Sequence, residues 1–262
     1  MTAFYSIMHS SHALLPSASL PALPTFSHTL SLISIFKGAR KKEDMHLNKK
    51  GIRALGIAES FVRKRPRSVL AGVVMRSDLI IDGFAFTEIT VGGMDATDGI
   101  IKIFNSLERS DINVIMLNGC VISWFNVVNL NKIYEETGIP LICVTYEASE
   151  GLEPHFRRHF DGEDLKKRLD AYRMLGERVP VRIRGKHEQR KGKKQEILIR
   201  ILGLEKSEAI QILRKFTLHG RIPEPLRVAR LCARSLLRAS FSHSSSPSTP
   251  TTSSSAASPS LN

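Results

Sequence analysis

A chain of 262 residues, 42% of them hydrophobic, is long enough to bury a sizeable core. Its net charge of +13 favours a polyanionic partner, nucleic acid first, with an ordinary basic surface as the plainer reading. The three cysteines, Cys120, Cys143 and Cys232, form no C-x-x-C pair, so they read as small buried thiols rather than metal ligands or disulfides. That suits a reducing, cytoplasmic setting, and no apolar run reaches the length of a membrane span.

Residues 1–44 are almost free of acids and rich in Ser, His, Leu and Pro. Their cations, Lys37, Arg40, Lys41 and Lys42, come too late for a basic targeting helix. The stretch reads as a disordered or gene-model extension ahead of a start at Met45. Residues 240–262 are a Ser/Thr/Pro-rich tail without charged side chains, and the folded domain is expected over 45–239.

Within it, Ile52–Ile57, Val69–Met75 and Leu79–Val91 read as strands, the last two paired through the short turn Arg76-Ser77-Asp78. Alternation puts Phe84, Phe86, Glu88 and Thr90 on one face of the third. After Gly92-Gly93, Asp95 begins a helix whose inward stripe is Ile100, Ile103, Phe104 and Leu107. Ile112, Val114, Ile115, Met116 and Leu117 then form a short apolar run ending at Asn118-Gly119, the pattern of a central strand buried on both faces. A helix over Asn126–Thr137 with Leu130, Ile133 and Tyr134 inward leads to a fifth strand, Leu141–Tyr146. Further helices are expected at Asp161–Leu175, Lys206–Phe216 and Pro225–Leu237, with two short strands around a basic loop in Val181–Ile201.

This order predicts an α/β fold of the ribonuclease H-like kind. A mixed five-stranded sheet, made of a three-stranded antiparallel meander plus two parallel strands, is flanked by helices and followed by a C-terminal helical extension. Chemistry in such sheets collects at the carboxyl ends of the strands, which is where Asn118 falls.

Six blocks in order carry a resemblance: I-R-A-L-G-I-A-E-S-F, V-V-M-R-S-D-L-I-I-D-G-F-A-F, I-T-V-G-G-M-D-A-T-D, N-V-I-M-L-N-G-C-V-I-S-W-F-N-V, G-I-P-L-I-C-V-T-Y-E and G-R-I-P-E-P-L-R-V-A-R-L. Over Met45–Ala233 the chain resembles the endonuclease dU family, a largely uncharacterised, mainly archaeal family distantly similar to endonuclease V. The resemblance implies metal-dependent cleavage of nucleic acid beside deaminated bases, a DNA-repair type of activity on DNA before RNA. It also implies Mg²⁺ or Mn²⁺ held by carboxylates, since a hard cation takes oxygen ligands and activates water. The resemblance further implies an acid, as the family usually has, at the position of Ala58, ahead of a second acidic position at Glu59, and Asp where Asn118 stands. Here a methyl group and a neutral amide replace two charges, so the expected activity is weak or absent. The alternatives are a non-catalytic nucleic-acid-binding protein of the same fold, or unrelated small-molecule chemistry.

The candidate catalytic residues are Glu59, Asn118, Glu147 and Asp95, with Glu59 and Glu147 the candidate metal ligands. Asp95 reads first as a helix N-cap and second as part of a phosphate site at the helix start, Glu88 as a surface or paired acid before a ligand, and Asp98 as first-turn charge. Trp124 either stacks on a base or packs on the sheet, and Asn126 borders that site or caps the next helix. Arg182, Arg184, Lys191 and Lys193 lie in a basic loop that either tracks a phosphate backbone or is simply solvated. Arg227, Arg230, Arg234 and Arg238 share one face of the last helix, either phosphate-facing or wet. His155 and His159 form only a weak H-x-x-x-H pair.

Overall fold

The computed structural model describes residues 51–147, 151–183, 185 and 195–242. The proposed N-terminal extension, most of the Ser/Thr/Pro tail, and Arg184, Lys191 and Lys193 of the basic loop lie outside the described residues.

Strands β1 (Arg53–Ser60), β2 (Arg67–Arg76) and β3 (Ile81–Thr90) form the antiparallel meander. Helix α1 (Ala96–Ser106) returns the chain to β4 (Val114–Asn118), parallel to β1. A two-stranded ribbon, β5 (Val121–Ile122) with β6 (Asn126–Val127), precedes α2 (Leu130–Thr137) and β7 (Leu141–Thr145), which is parallel to β4. Next come α3 (Glu153–His159), α4 (Gly162–Arg173), the hairpin β8 (Val179–Ile183) and β9 (Gln195–Leu202), α5 (Lys206–Phe216) and α6 (Glu224–Ser242).

The sheet has seven strands in the order β3-β2-β1-β4-β7-β9-β8, two more than expected from sequence. β9 pairs antiparallel with β7. The reason lies in β7, whose Leu141, Ile142, Cys143 and Val144 are all buried. Such a strand cannot be left as an open edge, and the hairpin covers it. The second helix starts at Leu130, four residues later than expected, because Asn129 is its cap and accepts a hydrogen bond from the Lys132 N–H. Tyr134 is half-exposed rather than inward. α3 was not expected at all, being short, with only Phe156 buried. α6 runs to Ser242, beyond the expected end at Leu237.

Alternation along β1 and β4 divides the core between the two faces of the sheet. Leu55, Ile57, Ile115 and Leu117 pack with Ile100, Ile103 and Ile133 on one side. Ala54, Val114, Met116 and Ile142 pack with Ile212, Phe216 and Leu226 on the other. Small residues let α6 lie directly on the sheet: a Cβ at Gly56 would come within 2.5 Å of Pro225, and Ala58 packs against Val73 and Ala229. Ala58 is therefore a seat for α6. No helix among the described residues is long and apolar enough to cross a membrane.

Cys120 and Cys143 are buried as expected, but the expectation that they are free thiols is corrected. Cys120 and Cys143 are disulfide-bonded, with Cα atoms 6.3 Å apart, and only Cys232 is free. β4 and β7 are neighbours in the sheet, which brings the loop after Asn118 over Cys143.

Candidate functional site

A cavity of about 530 Å³ opens at the carboxyl ends of β1, β4 and β7, and Glu59, Asn118, Tyr146, Glu147, Arg230 and Arg234 line it. Three of the sequence-expected residues, Glu59, Asn118 and Glu147, thus meet in one place. Glu59 follows Ala58 and leaves β1 on the other face, yet it reaches the cavity because the strand ends one residue later at Ser60. A smaller cavity of about 200 Å³ shares Asn118, Arg230 and Arg234 and adds Arg227, Leu226 and Leu231. The Arg227–Arg230–Arg234 face of α6 is turned toward the strand ends, whereas Arg238 lines neither cavity.

Burial raises the pKa of Glu59, against the lowering effects of a hydrogen bond from the Ser123 backbone and the charge of Arg230. Its Oε2 has no hydrogen-bond partner among the described residues. The Tyr146 hydroxyl is likewise buried without such a partner, and burial pushes its phenol above the ordinary value. Its backbone is better held: Arg221 donates to the Tyr146 carbonyl at 2.7 Å.

These residues do not fit a carboxylate-held divalent cation. Glu59 is a single, desolvated acid, Glu147 is exposed, Asn118 offers a neutral amide, and Arg230 and Arg234 bring two positive charges to the same cavity. Among the described residues no group of three or more His, Cys, Asp or Glu stands together. An Asp at position 118 would face those arginines, and one at 58 would face the Ala229 seat of α6.

Asp95 belongs to a different cluster. Its side chain does not cap its own helix, as the sequence suggested it could. The carboxylate accepts from the Thr90 N–H, the Thr90 hydroxyl and Asn126 Nδ2 at 2.7–3.1 Å. Burial pushes its pKa up, but the hydrogen bonds from Thr90 and Asn126 outweigh that and hold it low. Asn126, fully buried, does the capping instead: its Oδ1 accepts from the Ala96 N–H at 3.0 Å. Asn126 thus fastens α1 from the β5–β6 ribbon and is not available to a ligand. Glu88 lies 3.4 Å from Arg67, and Asp98 pairs with Lys132 at 2.7 Å, so both are surface ion pairs.

Between β5 and β6, Ser123, Trp124 and Phe125 all have positive φ, at 47°, 58° and 68°. Three consecutive left-handed non-glycine residues carry a strain of about 1–2 kcal/mol each. Arg168 of α4 holds this turn. Buried at 4% exposure, it donates to the carbonyls of Gly92, Gly93 and Phe125 and stacks on Phe160 at 4.0 Å. Gly92, with φ +71°, leaves room for the Trp124 ring; a Cβ there would come within 2.9 Å of it. Trp124 is partly exposed, packs against Phe125, His159 and Phe160, and carries Arg63 over its ring at 4.8 Å. His159 is thus an aromatic-cluster residue.

Arg182 is exposed on β8, 3.4 Å from Glu196, remote in sequence and sheet position from the cavity. Tyr146, Arg63 and Arg168 were missed by sequence reasoning, and Arg234 was noted only as part of a stripe. Arg168 had a readable signal, a cation at the inward position of the Leu165–Leu169–Tyr172 stripe. Tyr146 had another, as the last residue of an expected strand.

A mixed sheet of this order, flanked by helices, is the endonuclease V-like form of the ribonuclease H-like fold. The solved Ciona intestinalis endonuclease V, in complex with a 23mer DNA containing an inosine followed by a ribo-adenosine, superposes with a TM-score of 0.50 at 15% identity, covering 82% of this chain and 99% of that one. A protein of unknown function from Archaeoglobus fulgidus superposes with a TM-score of 0.57 at 29% identity, covering 71% and 98%. The chain belongs to the endonuclease dU family, whose profile matches residues 50–237. A UPF0215 protein of Pyrobaculum calidifontis is 36% identical over 180 residues, 68% of this chain and 93% of its own length.

Proposed function

We propose that this protein binds nucleic acid, DNA before RNA, across the carboxyl ends of β1, β4 and β7, and that its strand cleavage is weak or absent. One observation carries the reading: Arg230 and Arg234 overhang Asn118 where the family resemblance implies carboxylates. Guanidinium groups attract phosphate and repel a divalent cation. The net charge of +13 supplies long-range attraction. The fold shared with an endonuclease V solved on inosine-containing DNA supports the same ligand class.

Gel-shift titration of uracil- or hypoxanthine-containing DNA across a salt series, in EDTA, tests binding. Affinity should fall by about tenfold or more between 50 and 200 mM salt, and the single tryptophan should report it by quenching. No detectable affinity at low salt rejects the reading. Incubation with Mg²⁺ or Mn²⁺ tests chemistry: the native chain should cut the strand weakly or not at all, and rapid cleavage that EDTA abolishes rejects that part of the reading.

A further inference from the structure

Arg230 and Arg234 lie one turn apart on α6, both exposed, and both line the two cavities that meet at Asn118. Neither forms a hydrogen bond or an ion pair with a described residue. Arg227, the third cation on this face, is occupied: it lies 3.1 Å from Glu224 and donates to the His219 carbonyl. Two guanidinium groups without a hydrogen bond or ion pair among the described residues, one of them (Arg230) acting through its charge on Glu59, are thus set beside a neutral amide and a buried tyrosine hydroxyl that also lacks a partner.

That donor set has a charge and a shape. A guanidinium presents a planar fork that matches two phosphate oxygens. A phosphate inside a strand carries one negative charge, and two arginines would over-neutralise it. A terminal phosphate carries about −1.5 to −2 near neutral pH, which two arginines balance. The volume of about 530 Å³ is in the range of small-molecule sites, enough for a nucleotide and more than an inorganic ion needs. Asn118 adds amide donors without the charge an aspartate would bring. Glu59 is the nearby opposing group, and its desolvation disfavours the charged form; Glu147 is exposed at the rim.

We propose that the cavity binds a phosphate monoester directly, held by Arg230 and Arg234 with Asn118 and Tyr146 as neutral donors, without a bridging cation. The ligand is a nucleic-acid strand ending in a phosphate or a free nucleoside monophosphate. This rests on the nucleic-acid reading only for the first of those two sources.

The experiment uses the full chain in EDTA. Fluorescence anisotropy compares one labelled DNA sequence with a 5′-phosphate, a 3′-phosphate, or hydroxyls at both ends. Calorimetry follows inorganic phosphate and a nucleoside 5′-monophosphate. At least one phosphate-ended strand should bind about tenfold tighter than the hydroxyl-ended one. Arg230→Gln with Arg234→Gln should bring all three strands to one affinity. Asn118→Asp should erase most of the preference, because it places a like charge beside the ligand. Both arginines are exposed, and circular dichroism confirms that the double variant is folded. A preference that survives in the double variant overturns the proposal. If the strands bind equally or not at all, calorimetry decides: nucleoside monophosphate uptake lost in the double variant supports the site with a small-molecule ligand, and no uptake, or uptake the variant retains, overturns it. Failure of every strand to bind rejects the nucleic-acid reading separately.

Discussion

Asp95 and Glu59 are both partly buried acids near strand ends, and their surroundings are opposite. Asp95 sits among donors: Thr90 and Asn126 satisfy its carboxylate, Asn126 in turn caps α1, and Arg168 fastens the neighbouring turn through three carbonyls. Glu59 sits with an orphaned Oε2, an orphaned Tyr146 hydroxyl, and two arginines lacking partners among the described residues. Buried polar groups are ordinarily satisfied, so the first cluster does structural work, while the second leaves two buried polar atoms without a partner among the described residues, the feature on which the proposed site rests. The contrast separates two acids that sequence alone had placed together as catalytic candidates.

The sharpest way to break this contrast is to disturb the satisfied cluster. Arg168→Ala should lower stability by about 3 kcal/mol or more, because three carbonyls lose their donor at once. Arg168→Lys should recover little of it, since an ammonium cannot span the same fork. Urea denaturation measures both, and a loss below about 1 kcal/mol for the alanine variant would mean that the turn holds itself. Asn126→Ala comes next, with an expected loss of about 2 kcal/mol from uncapping α1 and freeing the Asp95 carboxylate. Its affinity for DNA, measured on the folded variant, should change little.

The smallest effect is the most discriminating, because the two acids predict opposite signs. The raised pKa of Glu59 means that its contribution is intact below the ordinary glutamate range and is lost as pH rises through the higher folded value. Glu59→Gln should therefore be as stable as the native chain near pH 4 and more stable at pH 8, by about 2–4 °C of melting temperature for each kcal/mol relieved. The lowered pKa of Asp95 means that its contribution is present at neutral pH and lost as pH falls through and below the ordinary aspartate range. Asp95→Asn should thus be less stable at pH 7, the gap closing in acid. Thermal melts from pH 3 to 8 check both slopes, and slopes of the same sign would dissolve the distinction.

The order of strands and helices was legible in the sequence because it is written in local periods: alternation along β3, short apolar runs in β1 and β4, and inward stripes at helical spacing in α1 and α4. Six blocks of family resemblance added the expectation of a site at the strand ends, with acids implied where Ala58 and Asn118 stand. The added pair of strands was half legible: β8 and β9 were expected, but not that β7 needed a neighbour on its open edge. The left-handed turn at Ser123–Phe125 has no signal, because none of its residues is glycine or asparagine.

What the sequence determined by itself was the order of elements and the positive charge, with Ala58 and Asn118 at the ends of β1 and β4; each depends only on residue identity and near-neighbour spacing. Only the tertiary structure decided that Asp95 and Asn126 brace α1, that Cys120 meets Cys143, and that Arg230 and Arg234 face Asn118 instead of solvent alone. Those pairings join residues far apart along the chain, and whether a polar group is satisfied or left open is a property of what the fold brings against it.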